Sequence, residues 1–398
     1  MLNKTIIAIV AAVLGLSASA QADSPADIVR QVIDNSPRLQ SLRLSHQAET
    51  EALSRAGHFD RQPEAEFEHL WGPHGNRWGA GVSQSFALPS VYRDRSRAAK
   101  AQITAFQYLY DSEVQELRRE AQQLIAQGVY ARRKRDLLNT LLDNIRQVDS
   151  LVKDGYSHGQ LTVLDVKKLD YQYYSYETRR QEVIRELQTA DGAIDALSGD
   201  RGVNCDFSDY PMMPLLSLDD YLDYATGNNP QVKALAQNAE ASRYAAQSAR
   251  SERLPEFSLG YRHAFEDNTH FNGLTVGLTL PVFTTSAQTK AATLQALSLD
   301  TQSLGAAAQA QAQARALYNS ASDAMKHLQG IQRVSLDNEY PDLLLMAYRG
   351  GQINVITYLQ ELNYYLEARM DCLAAEYAAV QTLIDLNRFN PDASAVVK

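Results

Sequence analysis

A constant offset of 192 residues runs through this chain. Pro63 returns as Pro255, Pro89 as Pro281, Tyr156 as Tyr348 and Gly159-Gln160 as Gly351-Gln352. Asn35-Ser36-Pro37 is echoed, with a one-residue slip, by Asn229-Pro230. Repetition on this scale must be settled before any local reading, because missing it mis-assigns the whole architecture. The unit is far too long for a solenoid repeat. It is a duplicated half-molecule, and each half must carry the same order of elements. The first repeat is expected over residues 23–200 and the second over 218–390. A segment rich in Gly, Asp and Pro joins them over 201–217, and 391–398 form a tail.

Residues 1–22 stand outside the repeat. Lys4, an apolar stretch from Ile6 to Leu16 and small residues through Ala18, Ala20 and Ala22 read as a secretory signal peptide, cut after Ala20 or Ala22. No cysteine follows that stretch to carry a lipid anchor, and no other stretch has the 18 or more apolar residues of a membrane-spanning helix. The net charge is -9, and loss of Lys4 makes it one unit more negative. An acidic balance argues against nucleic acid as a partner. Two cysteines, Cys205 and Cys372, are too few for a disulfide scaffold and leave one bridge or two free thiols open.

Each half reads as a helix, two short strands, a very long helix, a Gly-containing turn and a further helix. The first helix begins after Ser24, with Pro25 just inside it, and runs to about Gly57. The hydrophobic period then falls to two. Ala65, Phe67, His69 and Trp71 share one face, against Glu64, Glu66 and Glu68. Beyond a turn over Gly72–Asn76, Trp78, Ala80, Val82, Phe86 and Leu88 oppose Gly79, Gly81, Ser83 and Ser85. In the second half Phe257, Leu259, Tyr261 and Phe265 oppose Ser258, Gly260, Arg262 and Ala264. Leu274, Val276, Leu278 and Leu280 oppose Thr275, Gly277 and Thr279.

Such alternation fits a hairpin lying on a soluble core. It equally fits strands of about 9–11 residues in a membrane barrel. Export, aromatics near the strand ends and a charged or very small opposite face favour the barrel. Four strands cannot close one, since about eight is the practical minimum. Several chains must therefore share it.

From Pro89 to about Gly155 the chain has no proline after the first residue and one internal glycine, Gly128. A helix of that span would be roughly 100 Å long. Apolar residues at spacings of three and four (Val114, Leu117, Ala121, Leu124, then Leu138, Leu141, Ile145, Val148 and Val152) make a coiled-coil seam. The second copy is expected from Ser286 to Glu339, interrupted by Pro341. Leu359, Leu362, Leu366, Met370, Leu373, Tyr377, Val380 and Ile384 continue the seam in the closing helix.

Taken with the repeat and the strands, the motifs Tyr156-Ser157-His158-Gly159-Gln160-Leu161-Thr162-Val163-Leu164-Asp165 and Tyr348-Arg349-Gly350-Gly351-Gln352-Ile353 resemble those of the TolC family of outer-membrane efflux proteins. The run Tyr358–Arg369 is most similar to the heavy-metal, CusC and CzcC type. The resemblance implies a mainly α protein with a β-barrel portion. Three protomers would form a twelve-stranded outer-membrane barrel and a periplasmic α-helical tunnel. The implied partners are a homotrimer, outer-membrane lipid, a periplasmic membrane-fusion adapter and an inner-membrane transporter of the resistance-nodulation-division class. No cofactor or catalytic residue is implied.

By the same resemblance Asp165 and Tyr348 align with gate residues. His158, Gly159, Gln160, Gly350, Gly351 and Gln352 form the adapter-docking tips. A gate arginine of the family would fall at Ile353, and its acidic ring at Thr357 and Gln360, so cation selection would rest on Asp165 with nearby Glu361. Alternation places Glu64, Glu66, Glu68 and Arg262 on the water-filled face of the barrel. His69, His74, His263 and His270 match no standard metal spacing and read as scattered surface histidines. No nucleophile arrangement, phosphate-binding glycine loop or zinc motif points to an enzyme. The expected function is a passive exit duct, with heavy-metal cations as the first cargo considered. A duct for organic toxins or for protein secretion is the near alternative. A periplasmic coiled-coil adapter is the distant one, and two hairpins with two strand pairs speak against it.

Overall fold

In the computed structural model, residues 24–58, 62–72, 75–200, 202, 205–210, 215–266, 269–280, 286–334 and 336–389 are described. The expected signal peptide, the 391–398 tail and parts of the 201–217 segment lie outside them. The first half comprises α1 (Pro25–Asn35), α2 (Pro37–Ser54), β1 (Glu64–Gly72), β2 (Gly75–Phe86), α3 (Pro89–Ser157) and α4 (Val163–Leu197). The second comprises α5 (Leu218–Gly227), α6 (Pro230–Ser251), β3 (Glu256–Glu266), β4 (Thr269–Thr279), α7 (Ser286–Val334), α8 (Tyr340–Arg349) and α9 (Val355–Leu386), closed by a 3-10 turn, Asn387–Phe389.

Three boundaries differ from expectation. The single helix expected from Pro25 to Gly57 is two helices, broken at Ser36, because Pro37 lacks an N–H and holds the preceding residue out of the helical region (φ −58°, ψ 120°). Gly75 and Asn76 belong to β2 rather than to a turn, with Gly72 paired to Gly75. The second long helix stops at Val334, before Pro341, which instead sits in the first turn of α8, where its missing N–H costs nothing.

At 69 residues, α3 is about 100 Å long and runs from the sheet to the turn at Ser157. Its seam is buried as expected at Leu117, Ala121, Leu138, Leu141, Ile145, Val148 and Val152. Cores lie along it in sequence. Nearer the sheet, Leu117, Ala121 and Ile125 pack against Ile28, Val29 and Val32 of α1. Nearer the turn, Leu138–Val152 pack against Leu169, Tyr176, Tyr358, Leu362 and Leu366. A third cluster joins α5, α7 and the end of α9 through Tyr221, Leu222, Ala321 and Leu383.

Two consecutive arginines strap the inter-repeat segment to the helices. Arg132 pairs with Asp191 (3.2 Å) and Asp206 (3.3 Å). Arg133 pairs with Asp209 (3.0 Å) and Glu376 (2.8 Å), donates to the Ser208 carbonyl (2.9 Å) and lies over the Tyr210 ring. Cys205 and Cys372 are free and buried. Burial pushes the Cys205 thiol up to about 12, which makes it a packing residue rather than a nucleophile.

Candidate functional site

Two regions of the molecule bear on function. They lie at opposite ends of α3: an uncovered sheet and a pair of helical turns.

The sheet is antiparallel in the order β1-β2-β3-β4, so the two half-molecules join through β2 and β3 while β1 and β4 are left as open edges. Its register confirms the two faces. On one, Ala65, Val82, Tyr261 and Leu274 stand in a row, and Phe86, Phe257 and Leu278 in another. This face is bare: Phe67 is 72 % exposed, Trp71 78 %, Leu274 79 % and Val276 77 %. A contiguous apolar face of this size on a soluble protein marks an interaction surface. From the Phe86 row to the Trp78 row is eight residues, or about 26 Å at 3.3 Å each. With the tilt of about 35–45° usual in outer-membrane barrels, that span would stand about 20 Å tall, somewhat less than their apolar band of about 25 Å.

The other face carries Glu64, Glu66, Glu68, Gly79, Gly81, Ser83, Gly260, Arg262 and Gly277. Arg262 forms an ion pair with Glu68, reaching across the strip opened by Gly79 and Gly81. Arg77 pairs with Glu266 at 3.6 Å. All four residues read as pore-lining therefore share one polar face. Phe271 and Leu70 are apolar exceptions on it, close to the distal turns.

At the far end, the offset of 192 residues reappears as hydrogen bonds. Gln160 N–H donates to the Gly155 carbonyl at 2.8 Å and Gln352 N–H to the Ala347 carbonyl at 2.9 Å. Gly159 N–H to Tyr156 and Gly351 N–H to Tyr348 are both 3.0 Å. Gly159 (φ +71°) and Gly351 (φ +67°) are left-handed with open space around them, so backbone conformation, not packing, demands glycine there. Gly350 is ordinary backbone, but a Cβ would press within 3.3 Å of the Met346 carbonyl. His158, Gln160 and Gln352 are exposed. His158 caps α3, with its Nδ1 2.9 Å from the Asp154 carbonyl.

The next helices are capped at equivalent positions. Thr162 accepts from Asp165 N–H, and Asn354 accepts from Thr357 N–H at 2.9 Å. Asp165 completes a capping box, accepting from Thr162 N–H (2.9 Å) and Thr162 Oγ1 (2.7 Å). Those bonds, with the charge of Lys168, hold its carboxyl below the ordinary range. Tyr348 is half-buried against the Tyr358 ring, 5.7 Å between centroids. Burial, and then the Asp165 charge, raise its phenol. The fold thus brings the two gate candidates into one electrostatic neighbourhood, although Asp165 is also engaged in its own helix start. Glu361 accepts from Tyr340 at 2.9 Å, and Ile353 packs against the core below the turn.

One feature here has no sequence signature. Gln172 Nε2 and Tyr176 Oη both donate to Asn363 Oδ1, at 2.8 and 2.9 Å, and Asn363 Nδ2 donates back to Gln172 Oε1 at 3.1 Å. This polar clasp joins α4 to α9. Its members are 187 and 191 residues apart, beyond the reach of any local pattern.

No protein-family model matches the sequence, and no curated protein matches it. Solved structures do. The outer-membrane channel OprN superposes with a TM-score of 0.76 at 16% identity, over 93% of this chain and 91% of that one. The two chains share a fold. A membrane protein from Pseudomonas aeruginosa gives 0.75 at 16% identity over 92% of this chain and 93% of that one. CusC, described in terms of folding and transmembrane channel formation, gives 0.69 at 16% identity over 92% and 91%. At equal identity CusC is no nearer than the others, so the heavy-metal subtype is not singled out. Among the described residues no helix is long and apolar enough to cross a membrane.

Proposed function

We propose that this chain is one protomer of the exit duct of a tripartite export system. Three copies would pair β1 of one with β4 of the next and close a twelve-stranded barrel in the outer membrane. The long helices would continue it as a tunnel through the periplasm. The observation that carries this reading is the four-stranded sheet with one bare apolar face and two open edges. Alone in water it would expose both a hydrophobic surface and unpaired backbone groups. Closure among copies inside a bilayer satisfies both at once.

In this reading Glu64, Glu66, Glu68 and Arg262 line the barrel. The turns at His158–Gln160 and Gly350–Gln352 meet a membrane-fusion adapter, which joins a transporter of the resistance-nodulation-division class. Asp165 and Tyr348 belong to the gate. We read the cargo as small organic molecules rather than metal cations specifically. Thr357 and Gln360 replace a carboxylate ring at the second turn, and the Asp165 carboxylate is engaged by Thr162.

The decisive experiment is membrane fractionation of the native host, followed by mass determination of the detergent-extracted protein. A trimer from the outer membrane is the expected result. A soluble periplasmic monomer would overturn the duct.

A further inference from the structure

The register of the β3–β4 hairpin makes neighbours of two histidines that sequence spacing leaves unrelated. His263 pairs with Asn272 and Phe265 with His270, so His263 and His270 are diagonal neighbours on the apolar face, at the end of the sheet distal to the helices. His263 Nε2 and His270 Nδ1 are 3.4 Å apart. Both rings are held in place, His263 against Trp78 (5.4 Å between centroids) and His270 against Phe265 (4.8 Å).

The hydrogen bonds around them fix which nitrogen is presented. Asn272 Oδ1 accepts from Tyr261 Oη at 2.8 Å and lies 2.7 Å from His263 Nδ1. An amide oxygen only accepts, so Nδ1 of His263 carries the hydrogen and the lone pair of Nε2 faces His270. An oxygen accepting from the remote imidazole nitrogen is the usual way a metal-binding histidine is oriented. Two nitrogen ligands on a tetrahedral ion, with bonds of about 2.0–2.1 Å, stand about 3.3–3.4 Å apart. The pair already has that separation.

We propose that His263 and His270 form a two-imidazole site for a borderline-soft divalent transition ion, such as Zn²⁺ or Cu²⁺. Hard cations such as Mg²⁺ and Ca²⁺ prefer oxygen donors and are excluded by the ligand set. The ion takes the place of the hydrogen bond between the rings: neutral His270 ligates through Nδ1 as the other tautomer, its single ring hydrogen having moved from Nδ1 to Nε2, so no proton is gained or lost. Two coordination positions remain open to water or to an external donor. Binding would staple β3 to β4 beside their turn. Among the described residues no three metal-ligating side chains gather anywhere, which makes this a modest-affinity site rather than a structural centre.

The test uses untagged, detergent-extracted full-length protein and does not depend on channel activity. Cu²⁺ is titrated by electron paramagnetic resonance and Zn²⁺ by calorimetry. One ion per chain is expected, with two-nitrogen coupling in the Cu²⁺ spectrum. His263→Gln and His270→Gln should each weaken binding at least tenfold and remove one nitrogen from the spectrum. His327→Gln, on α7 and outside the sheet, should change neither. Asn272→Leu should weaken binding while both imidazoles remain. Parent-like binding in both His263→Gln and His270→Gln, or no binding by the parent, would overturn the site.

Discussion

The duplicated long helices, α3 and α7, are used in opposite ways. Along α3 a continuous seam is buried against α1, α4, α6 and α9 of the same chain. Along the 49 residues of α7 only Ala296, Ala314 and Ala321 are buried, while Leu294, Leu297 and Leu304 stand 56, 62 and 74 % exposed. Duplication fixed the fold of each half but not its neighbours. One copy is the spine of the protomer, and the other leaves a row of leucines bare, the surface that would meet a second chain in the proposed duct.

That contrast can be broken by substitution. Leu141→Ala in the α3 seam removes a fully buried side chain and should cost about 2–5 kcal/mol of protomer stability, read as a lower midpoint in denaturant. An equal loss from Leu304→Ala would mean that α7 is as internal as α3. Instead, Leu304→Ala should leave the helical circular dichroism of the isolated chain unchanged within about 0.5 kcal/mol of stability, and should loosen the oligomer in detergent.

At the tip the two halves meet through the clasp between α4 and α9. Asn363→Ala strands the buried amide of Gln172 and the hydroxyl of Tyr176, at a cost of about 1–3 kcal/mol. If the tip opens by parting these helices, the same variant raises single-channel conductance. A stability loss with unchanged conductance would confine the clasp to folding.

The smallest effect concerns Asp165. Its carboxyl is lowered in the folded chain by Thr162, so its contribution is present above the ordinary aspartate value of about 3.9 and is lost as pH falls through the folded value. Fraying of the first turn of α4, followed by amide hydrogen exchange at Asp165 and Val166, should therefore increase below about pH 4. Asp165→Ala should abolish that pH dependence and raise conductance. Thr162→Val weakens the cap but keeps the charge. Conductance like the parent in Thr162→Val would assign the gate effect to charge, and conductance matching Asp165→Ala would assign it to helix capping.

The sequence was legible where structure is local or periodic. Alternation gave both faces of every strand, and Gly159 and Gly351 marked turns that require left-handed backbone. Thr162-x-x-Asp165 is itself a capping-box signature, so the sequence already holds a nearer partner for Asp165 than any residue of a gate. The break at Pro37 was written in the sequence too, but an unbroken helical period on both sides concealed it. Asn363 with Gln172, and His263 with His270, could not be read in advance. The first pair depends on how α4 packs on α9, and the second on a strand register that only paired backbones define.

The β2–β3 seam has a consequence for the order of events during biogenesis. Arg77 pairs with Glu266 and Phe86 with Phe257, so each bond in the seam joins partners separated by almost a full repeat. The two outer hairpins can form as soon as their own residues emerge, and α3 can coil without either. The seam must wait for the second half, and loop-closing pairings of that span are slow. Until then each hairpin offers two adhesive edges to any passing strand. A newly made chain is therefore most vulnerable to misassembly in the interval between finishing its helices and zipping its two halves together.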